Sequence, residues 1–257
     1  MSIKEKMKTA RVIGVAAFNL TCLFCIIYVI GMTIEKRQAV SAEADAKVIN
    51  TFEPVKKTAD GPKAAPATQV QVGGKIIMVD DFNGDEVKNF LGNKTNVYVK
   101  APSKVMIAKK DDTVNGLKTK VLMIKYEKQN AGGPGGTGGW CGYYTLLKND
   151  KGEYLNGTDY KYITFWIKGV KGDENFMVGL ADEHWDKIGD SLKSEEITSY
   201  IEGKKITTEW QKVKIPLSVF FLDHSTLSSI SISFEGDCFP EGLGQGVVFI
   251  SNIAIEK

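Results

Sequence analysis

A run of 21 residues without a single charge, from Val12 to Met32, lies near the start of the 257-residue chain. A helix of that length matches the ~30 Å hydrocarbon core of a bilayer. Four basic residues precede the run and two follow it, a bias that favours a cytoplasmic N-terminus. The sequence therefore predicts a single-pass protein of the cell membrane, with residues 1–11 cytoplasmic, a transmembrane helix over 12–34 and a periplasmic or extracellular C-terminal domain.

A secretory signal peptide is the alternative interpretation of this apolar segment. Its hydrophobic core would have about 7–15 residues and would end at a small-residue cleavage site. The run here is longer, and the nearest such site, residues 40–42, lies beyond the charged residues 35–37. The pattern favours a retained anchor in the lipid bilayer.

Three polar side chains interrupt the apolar run: Asn19, Thr21 and Tyr28. A polar side chain in hydrocarbon is stabilised when it faces another helix that offers a hydrogen-bond partner. We therefore expect these residues to form a helix-packing face toward subunits of a membrane protein complex, although a lone span tolerates such residues too.

Two regions of different composition follow the apolar run. Residues 35–74 combine an alanine-rich charged stretch, which continues the helix, with a proline-containing segment that predicts an extended spacer. From residue 75 to 257, short β-branched and aromatic runs are separated by glycine and aspartate turns, which predicts an antiparallel β-sandwich. The predicted strands cover residues 76–79, 121–126, 143–147, 162–168, 176–180, 210–215, 230–234 and 247–255.

The order and spacing of these strands resemble a galactose-binding-like jelly roll. The segments that carry the resemblance are residues 160–169, 176–180, 210–220 and 248–253. They look like strands of bacterial carbohydrate-binding modules and of the complex I intermediate-associated protein 30 family. The resemblance implies a two-sheet β-sandwich that is usually non-catalytic, and it says little about the ligand because the fold serves many functions.

The resemblance also implies a structural calcium between an acidic N-terminal loop and an aspartate near the last strand. The candidate ligands in the loop are Asp80, Asp81, Asn83 and Asp85. The second position is Ser251 rather than an aspartate, although calcium needs several hard oxygen ligands. Calcium is thus an open expectation, and we expect no other cofactor.

The residues that catalysis or nucleic-acid binding would need are scarce. The chain has two histidines, and the adjacent residues Asp223, His224 and Ser225 point in different directions, whereas a catalytic triad must converge in space. The glycine run 132–139 lacks the Gly-Lys-Ser/Thr of a phosphate-binding loop. A net charge of +2 argues against a nucleic-acid partner. We therefore predict a protein that is not an enzyme.

Aromatic side chains next to loops are the candidates for a ligand or partner surface. We select Trp140, Tyr143, Trp185 and Tyr200, although ordinary packing accounts for aromatic residues equally well. Cys141 and Cys238 form a candidate disulfide if the domain folds in an oxidising compartment, with two separate buried cysteines as the alternative.

Two functions are compatible with these features. The first is an accessory or structural subunit of a membrane protein complex, which uses both the apolar helix and the β-sandwich. The alternative is a membrane-tethered carbohydrate-binding module that recognises cell-wall or extracellular glycan. The sequence alone favours the first, because of the polar residues in the predicted span.

Overall fold

The computed structural model describes residues 74–84, 87–132 and 138–257. Within these ranges the chain forms eleven strands and one short α-helix. In chain order they are β1 (Ile76–Asp80), β2 (Thr95–Val99), β3 (Lys104–Val114), β4 (Leu117–Lys128), β5 (Cys141–Leu146), β6 (Tyr162–Gly169), β7 (Met177–Asp182), α1 (Glu183–Ile188), β8 (Leu192–Glu196), β9 (Gln211–Pro216), β10 (Leu227–Phe234) and β11 (Gly244–Glu256).

The strands pair into two antiparallel sheets. The six-stranded sheet has the order β3-β4-β11-β6-β9, and β1 pairs with β11 beyond the end of β4. The five-stranded sheet has the order β2-β5-β10-β7-β8. This arrangement confirms the predicted antiparallel β-sandwich.

The core lies between the inward faces of the two sheets. Strand β10 alternates strictly, so Ile230, Ile232 and Phe234 are buried in the core while the serines between them point outward. From the other sheet, Tyr126 stacks on Phe234 with 3.8 Å between ring centroids. Burying side chains of this size contributes about 1.5–3 kcal/mol each, so the alternation of β10 fixes which face of its sheet is outward.

No helix in the described ranges is long and apolar enough to cross a bilayer. The predicted transmembrane helix, with Asn19, Thr21 and Tyr28, lies outside those ranges, as does the spacer apart from its last residue. These assignments stay predictions.

Candidate functional site

The outward face of the five-stranded sheet carries a polar row that crosses the strands. The register aligns Tyr144 of β5 with Ser231 of β10, and Ser231 with Gly179 of β7. Two residues further along the strands, Tyr98 of β2 pairs with Gly142, which pairs with Ser233. Because neighbouring residues of a strand point to opposite faces, all of these positions lie on the side away from the core.

Hydroxyl groups connect along this row. The Tyr98 hydroxyl lies 2.5 Å from the Ser233 Oγ, and the Ser233 Oγ lies 3.3 Å from the Ser231 Oγ. Ser191, just before β8, lies 3.5 Å from the Ser231 Oγ, and the Lys193 Nζ donates to the Ser191 Oγ at 3.0 Å. The row, which we call the hydroxyl row, thus runs from Tyr98 through Ser233, Ser231 and Ser191 to Lys193.

Two glycines make room for the hydroxyl row. A Cβ atom on Gly142 would lie 2.5 Å from the Tyr98 hydroxyl and 2.2 Å from the carbonyl oxygen of Ile232. A Cβ atom on Gly179 would lie 2.2 Å from the Ser231 Oγ and 2.4 Å from the Ser191 Oγ. Their missing side chains let the hydroxyls lie flat against the sheet.

An exposed aromatic residue flanks one end of the hydroxyl row. Trp140 directly precedes β5, is 38% exposed, and lies 5.8 Å from the Tyr98 ring between centroids at a tilt of 47°. The Lys100 N–H donates to the Trp140 carbonyl oxygen at 2.9 Å, which fixes the backbone there. The two rings therefore offer an aromatic surface next to hydroxyl groups.

A group of charged side chains lies at the opposite end. The Lys193 Nζ is 3.2 Å from an Asp190 carboxylate oxygen and 3.4 Å from a Glu235 carboxylate oxygen. Burial raises the pKa of the Asp190 carboxyl, but the Ser191 N–H and Lys193 outweigh burial and hold that pKa below its ordinary value. Burial raises the pKa of Tyr98, so its hydroxyl stays neutral and can donate.

The four predicted surface aromatics do not share one environment. Trp140 lies beside the hydroxyl row, whereas Trp185 is half-buried on α1. Tyr200 is half-buried and packs against the core. Tyr143 is 2% exposed, and its hydroxyl hydrogen-bonds to the carboxyl of Asp80. The prediction for Tyr143 is wrong, because the alternation of β5 turns this residue into the sandwich.

Sequence reasoning missed the whole hydroxyl row. The missed residues are Tyr98, Ser191, Lys193, Ser231 and Ser233. A signal was present, because the alternation of serine and isoleucine in residues 229–232 indicates a strand with one polar face. The pairing of that strand with β2 and β8 through its neighbours is long-range and has no local signature.

The expected disulfide is not formed. Cys141 and Cys238 are both buried, and no disulfide joins these two described residues. Burial raises the pKa of the Cys141 thiol to about 12, with a smaller opposing effect from Glu127 and Lys128. The inward orientation of Cys141 at the start of β5 explains its burial in the core, so the alternative of separate buried cysteines describes this pair.

Three of the four predicted calcium ligands lie among the described residues. The four predicted ligands are Asp80, Asp81, Asn83 and Asp85. Burial raises the pKa of the Asp80 carboxyl to about 6, although that carboxyl accepts the Phe82 N–H at 2.9 Å. The Asn83 side-chain oxygen accepts the Lys120 N–H at 3.2 Å, and Asp85 lies outside the described residues. Among the described residues no group of three or more acidic, histidine or cysteine side chains could hold a metal. Calcium stays a prediction, because one of its expected ligands is not described.

The segment Asp223–Ser225, which the sequence analysis excluded as a catalytic triad, forms a local turn. The Asp223 Oδ1 accepts both the N–H of Ser225 at 2.9 Å and its hydroxyl at 2.7 Å. The His224 Nε2 lies 3.1 Å from the Leu217 carbonyl oxygen instead of facing Ser225. These contacts stabilise the turn before β10 and do not align a nucleophile with a base.

The sandwich and the polar, aromatic outward face define the class of protein when they are combined with a family match. The family model for carbohydrate binding domain 30 matches residues 78–257, more than half of the chain. The chain therefore contains a carbohydrate-binding module. It belongs to the carbohydrate binding domain 30 family. The match supports the carbohydrate-binding-module part of the expected resemblance and not the part that named the complex I intermediate-associated family.

The chain is also similar to solved structures of modules from Clostridium thermocellum. It is 18% identical to the family 11 module of the cellulosomal cellulase Lic26A-Cel5E, with a TM-score of 0.46 over 70% of this chain and 94% of that one. For the family 11 module in complex with a β-1,3-1,4-mixed-linked tetrasaccharide, the identity is 17% and the TM-score 0.47, over 70% of this chain and 95% of that one. For the family 30 module of the cellulosomal cellulase Cel9D-Cel44B, the identity is 24% and the TM-score 0.42, over 58% of this chain and 82% of that one. No curated protein matches the chain.

Proposed function

We propose that the domain binds a glycan on the outward face of its five-stranded sheet, with Trp140 and the half-buried members of the hydroxyl row, Tyr98, Ser191 and Lys193, as the contact surface. The observation that carries this proposal is the hydroxyl row itself. Gly142 and Gly179 leave the space that the Tyr98, Ser231 and Ser191 hydroxyls occupy on this sheet face. The family match supports the same function independently of the geometry.

The chemistry of this face suits a sugar chain. A sugar ring has an apolar C–H face and a rim of hydroxyls, so it needs an aromatic surface beside groups that both donate and accept hydrogen bonds. The rings of Trp140 and Tyr98 supply the aromatic surface, and the half-buried Tyr98 and Ser191 hydroxyls supply the hydrogen-bonding groups. The buried hydroxyls of Ser231 and Ser233 orient them from below. Lys193 and its two carboxylates add oriented donors and acceptors at the far end.

The test is a binding measurement on the full chain in mild detergent. Soluble polysaccharides, including β-1,3-1,4-glucan and xylan, are titrated by isothermal calorimetry. We expect Trp140→Ala and Tyr98→Phe each to weaken binding about tenfold, which corresponds to about 1.4 kcal/mol. The first variant removes ring contact, and the second removes one hydroxyl from the row.

The matched control is Phe221→Ala. Phe221 is 89% exposed and lies in the segment between β9 and β10, so its removal changes exposed aromatic area away from the hydroxyl row. This variant should bind like the unmodified chain. Failure of every polysaccharide to bind, or equal affinity for all three variants, contradicts the proposal.

The membrane anchor is a separate part of the proposed function. Its support is the uncharged run from Val12 to Met32 and the basic residues before it. A retained span would tether the glycan-binding domain to the cell membrane. Extraction of membranes at alkaline pH should leave the protein in the pellet, and release into the supernatant would contradict the anchor. The role of an accessory subunit of a membrane complex stays a prediction, and the family match favours the glycan-binding alternative.

A further inference from the structure

The loop after β1 is fastened to the β3–β4 hairpin by polar contacts. The Asn83 side chain accepts the Lys120 N–H at 3.2 Å and donates to the Thr119 hydroxyl at 3.3 Å. Between these contacts and the core, Phe82 is 1% exposed and anchors the loop in the sandwich. The burial of Phe82 and the hydrogen bonds of Asn83 to the hairpin therefore both fix the position of the loop.

Lys109 of β3 supplies a positive charge to the same loop. Its Nζ donates to the Gly84 carbonyl oxygen at 3.1 Å. Its charge also acts on the Asp80 carboxyl, where it opposes the effect of burial on the pKa. On β3 the side chains of Val105 and Ile107 pack against the core, and the alternation places Lys109 on that same side.

We propose that the Lys109 ammonium group takes the place of the calcium ion that the resemblance implies for this loop. The ammonium group holds residues 80–84 against the β3–β4 hairpin, so the domain folds independently of divalent metal. This inference concerns the fold around β1 and does not rest on the proposed glycan binding.

The chemistry of the two cations explains why one excludes the other. Calcium takes six to eight oxygen ligands, several of them charged. A lysine ammonium needs only three acceptors and carries its charge on a tether from the chain itself. The position that the resemblance assigns to an aspartate is Ser251, a buried hydroxyl without a charge. A calcium ion here would thus meet a neutral hydroxyl in place of a carboxylate, and the Lys109 ammonium beside the Gly84 carbonyl oxygen would repel it.

The experiment compares thermal unfolding of the full chain and its variants in mild detergent, with tryptophan fluorescence as the readout. The unmodified chain should have the same Tm in calcium chloride and in EDTA. Lys109→Met keeps the aliphatic packing and removes the charge, so it should lower Tm by about 2–4 °C or more. Lys109→Arg keeps the charge and should retain most of the stability.

Lys110→Met is the matched control, because Lys110 is the next residue of β3, is exposed and points to the opposite side. Its Tm should equal that of the unmodified chain. A Tm that falls in EDTA, stoichiometric calcium binding in calorimetry, or equal Tm values for Lys109→Met and Lys110→Met would overturn the proposal. If Lys109→Met does not fold, the EDTA comparison and the Lys109→Arg variant still test the proposal. A destabilised Lys109→Arg variant would also contradict the proposal. A chain that binds no glycan but passes these tests would reject the proposed function alone.

Discussion

At the scale of single residues, Glu174 shows how one buried carboxylate organises a turn. It is 2% exposed, and its two oxygens accept the backbone N–H groups of Val170, Lys171 and Gly172 at 2.8–2.9 Å. A Cβ atom on Gly169 would lie 2.1 Å from one of these oxygens, so the glycine is needed for the carboxylate to fit. The turn after β6 therefore depends on a charged acceptor that is buried.

The variant Glu174→Gln should lower the free energy of unfolding by about 1–3 kcal/mol at neutral pH, because the amide nitrogen of glutamine cannot accept the N–H groups that the second oxygen accepts. Burial raises the pKa of Glu174, but the backbone N–H groups outweigh burial and hold it below the ordinary value of 4.5. Ionisation thus contributes stability above the unfolded-state pKa, and this stability is lost as pH falls through the folded-state pKa.

Urea unfolding of both chains at several pH values checks this prediction. The difference in stability between them should be largest at neutral pH and should shrink below about pH 4.5, the ordinary value. A difference that stays constant with pH would show that the charge of Glu174 is not what stabilises the turn.

The orientation of individual aromatic residues is what the sequence alone leaves open. Tyr143 and Tyr144 are neighbours on β5, and either one could face the core on local pattern. The choice is made by pairing with β10, because Tyr143 lies opposite Ile232, whose side chain is buried. That pairing joins residues almost 90 positions apart, so no local property of residues 143 and 144 reveals it.

At the scale of elements, strands with strong alternation or apolar runs are predictable, whereas β2, β3 and β8 have no matching predicted strand. The predicted strand 230–234 falls within β10, and the run 162–168 nearly coincides with β6. Strand β3 was missed because its centre contains Lys-Lys-Asp-Asp, which resembles a loop. It is an edge strand, and charged residues at an edge discourage pairing with other chains.

The turn between β3 and β4 offered a local signal for this hairpin. Asn115 and Gly116 have φ values of 50° and 79°, the left-handed pair that a two-residue hairpin turn requires. Open space surrounds the position of a Cβ atom on Gly116. Any cost of a side chain there is therefore conformational and not steric.

Gly116→Ala should destabilise the domain by about 1–2 kcal/mol, since a side chain disfavours the left-handed conformation. Chemical denaturation measures the change as a lower midpoint. Gly84→Ala is the control, because Gly84 also has open space around it but no positive φ, so its stability should stay within about 0.5 kcal/mol of the unmodified chain. Equal effects of the two variants would contradict this account of the hairpin turn.

At the scale of the whole domain, the two sheets differ in charge. The strands of the six-stranded sheet contain ten lysines and five acidic residues. Those of the five-stranded sheet contain one lysine and three acidic residues. The proposed glycan surface thus lies on the sheet with few charges, and its one lysine, Lys193, is held between two carboxylates.

This distribution predicts a preference for neutral glycans. Lys193 is already compensated by Asp190 and Glu235, so a carboxylate on a sugar would meet a face with a small negative excess. A neutral β-glucan should bind more tightly than a uronate polymer of similar length, and its affinity should change less than about twofold between low and high salt, because salt screens only charge–charge interactions.

Calorimetric titrations of both polymers at two salt concentrations measure this, with Lys193→Met as a variant that removes the only cation of the row. An affinity for the neutral polymer that falls steeply with salt, or tighter binding of the uronate polymer, would show that charge drives recognition on this face and that the hydroxyl row and Trp140 do not determine the ligand.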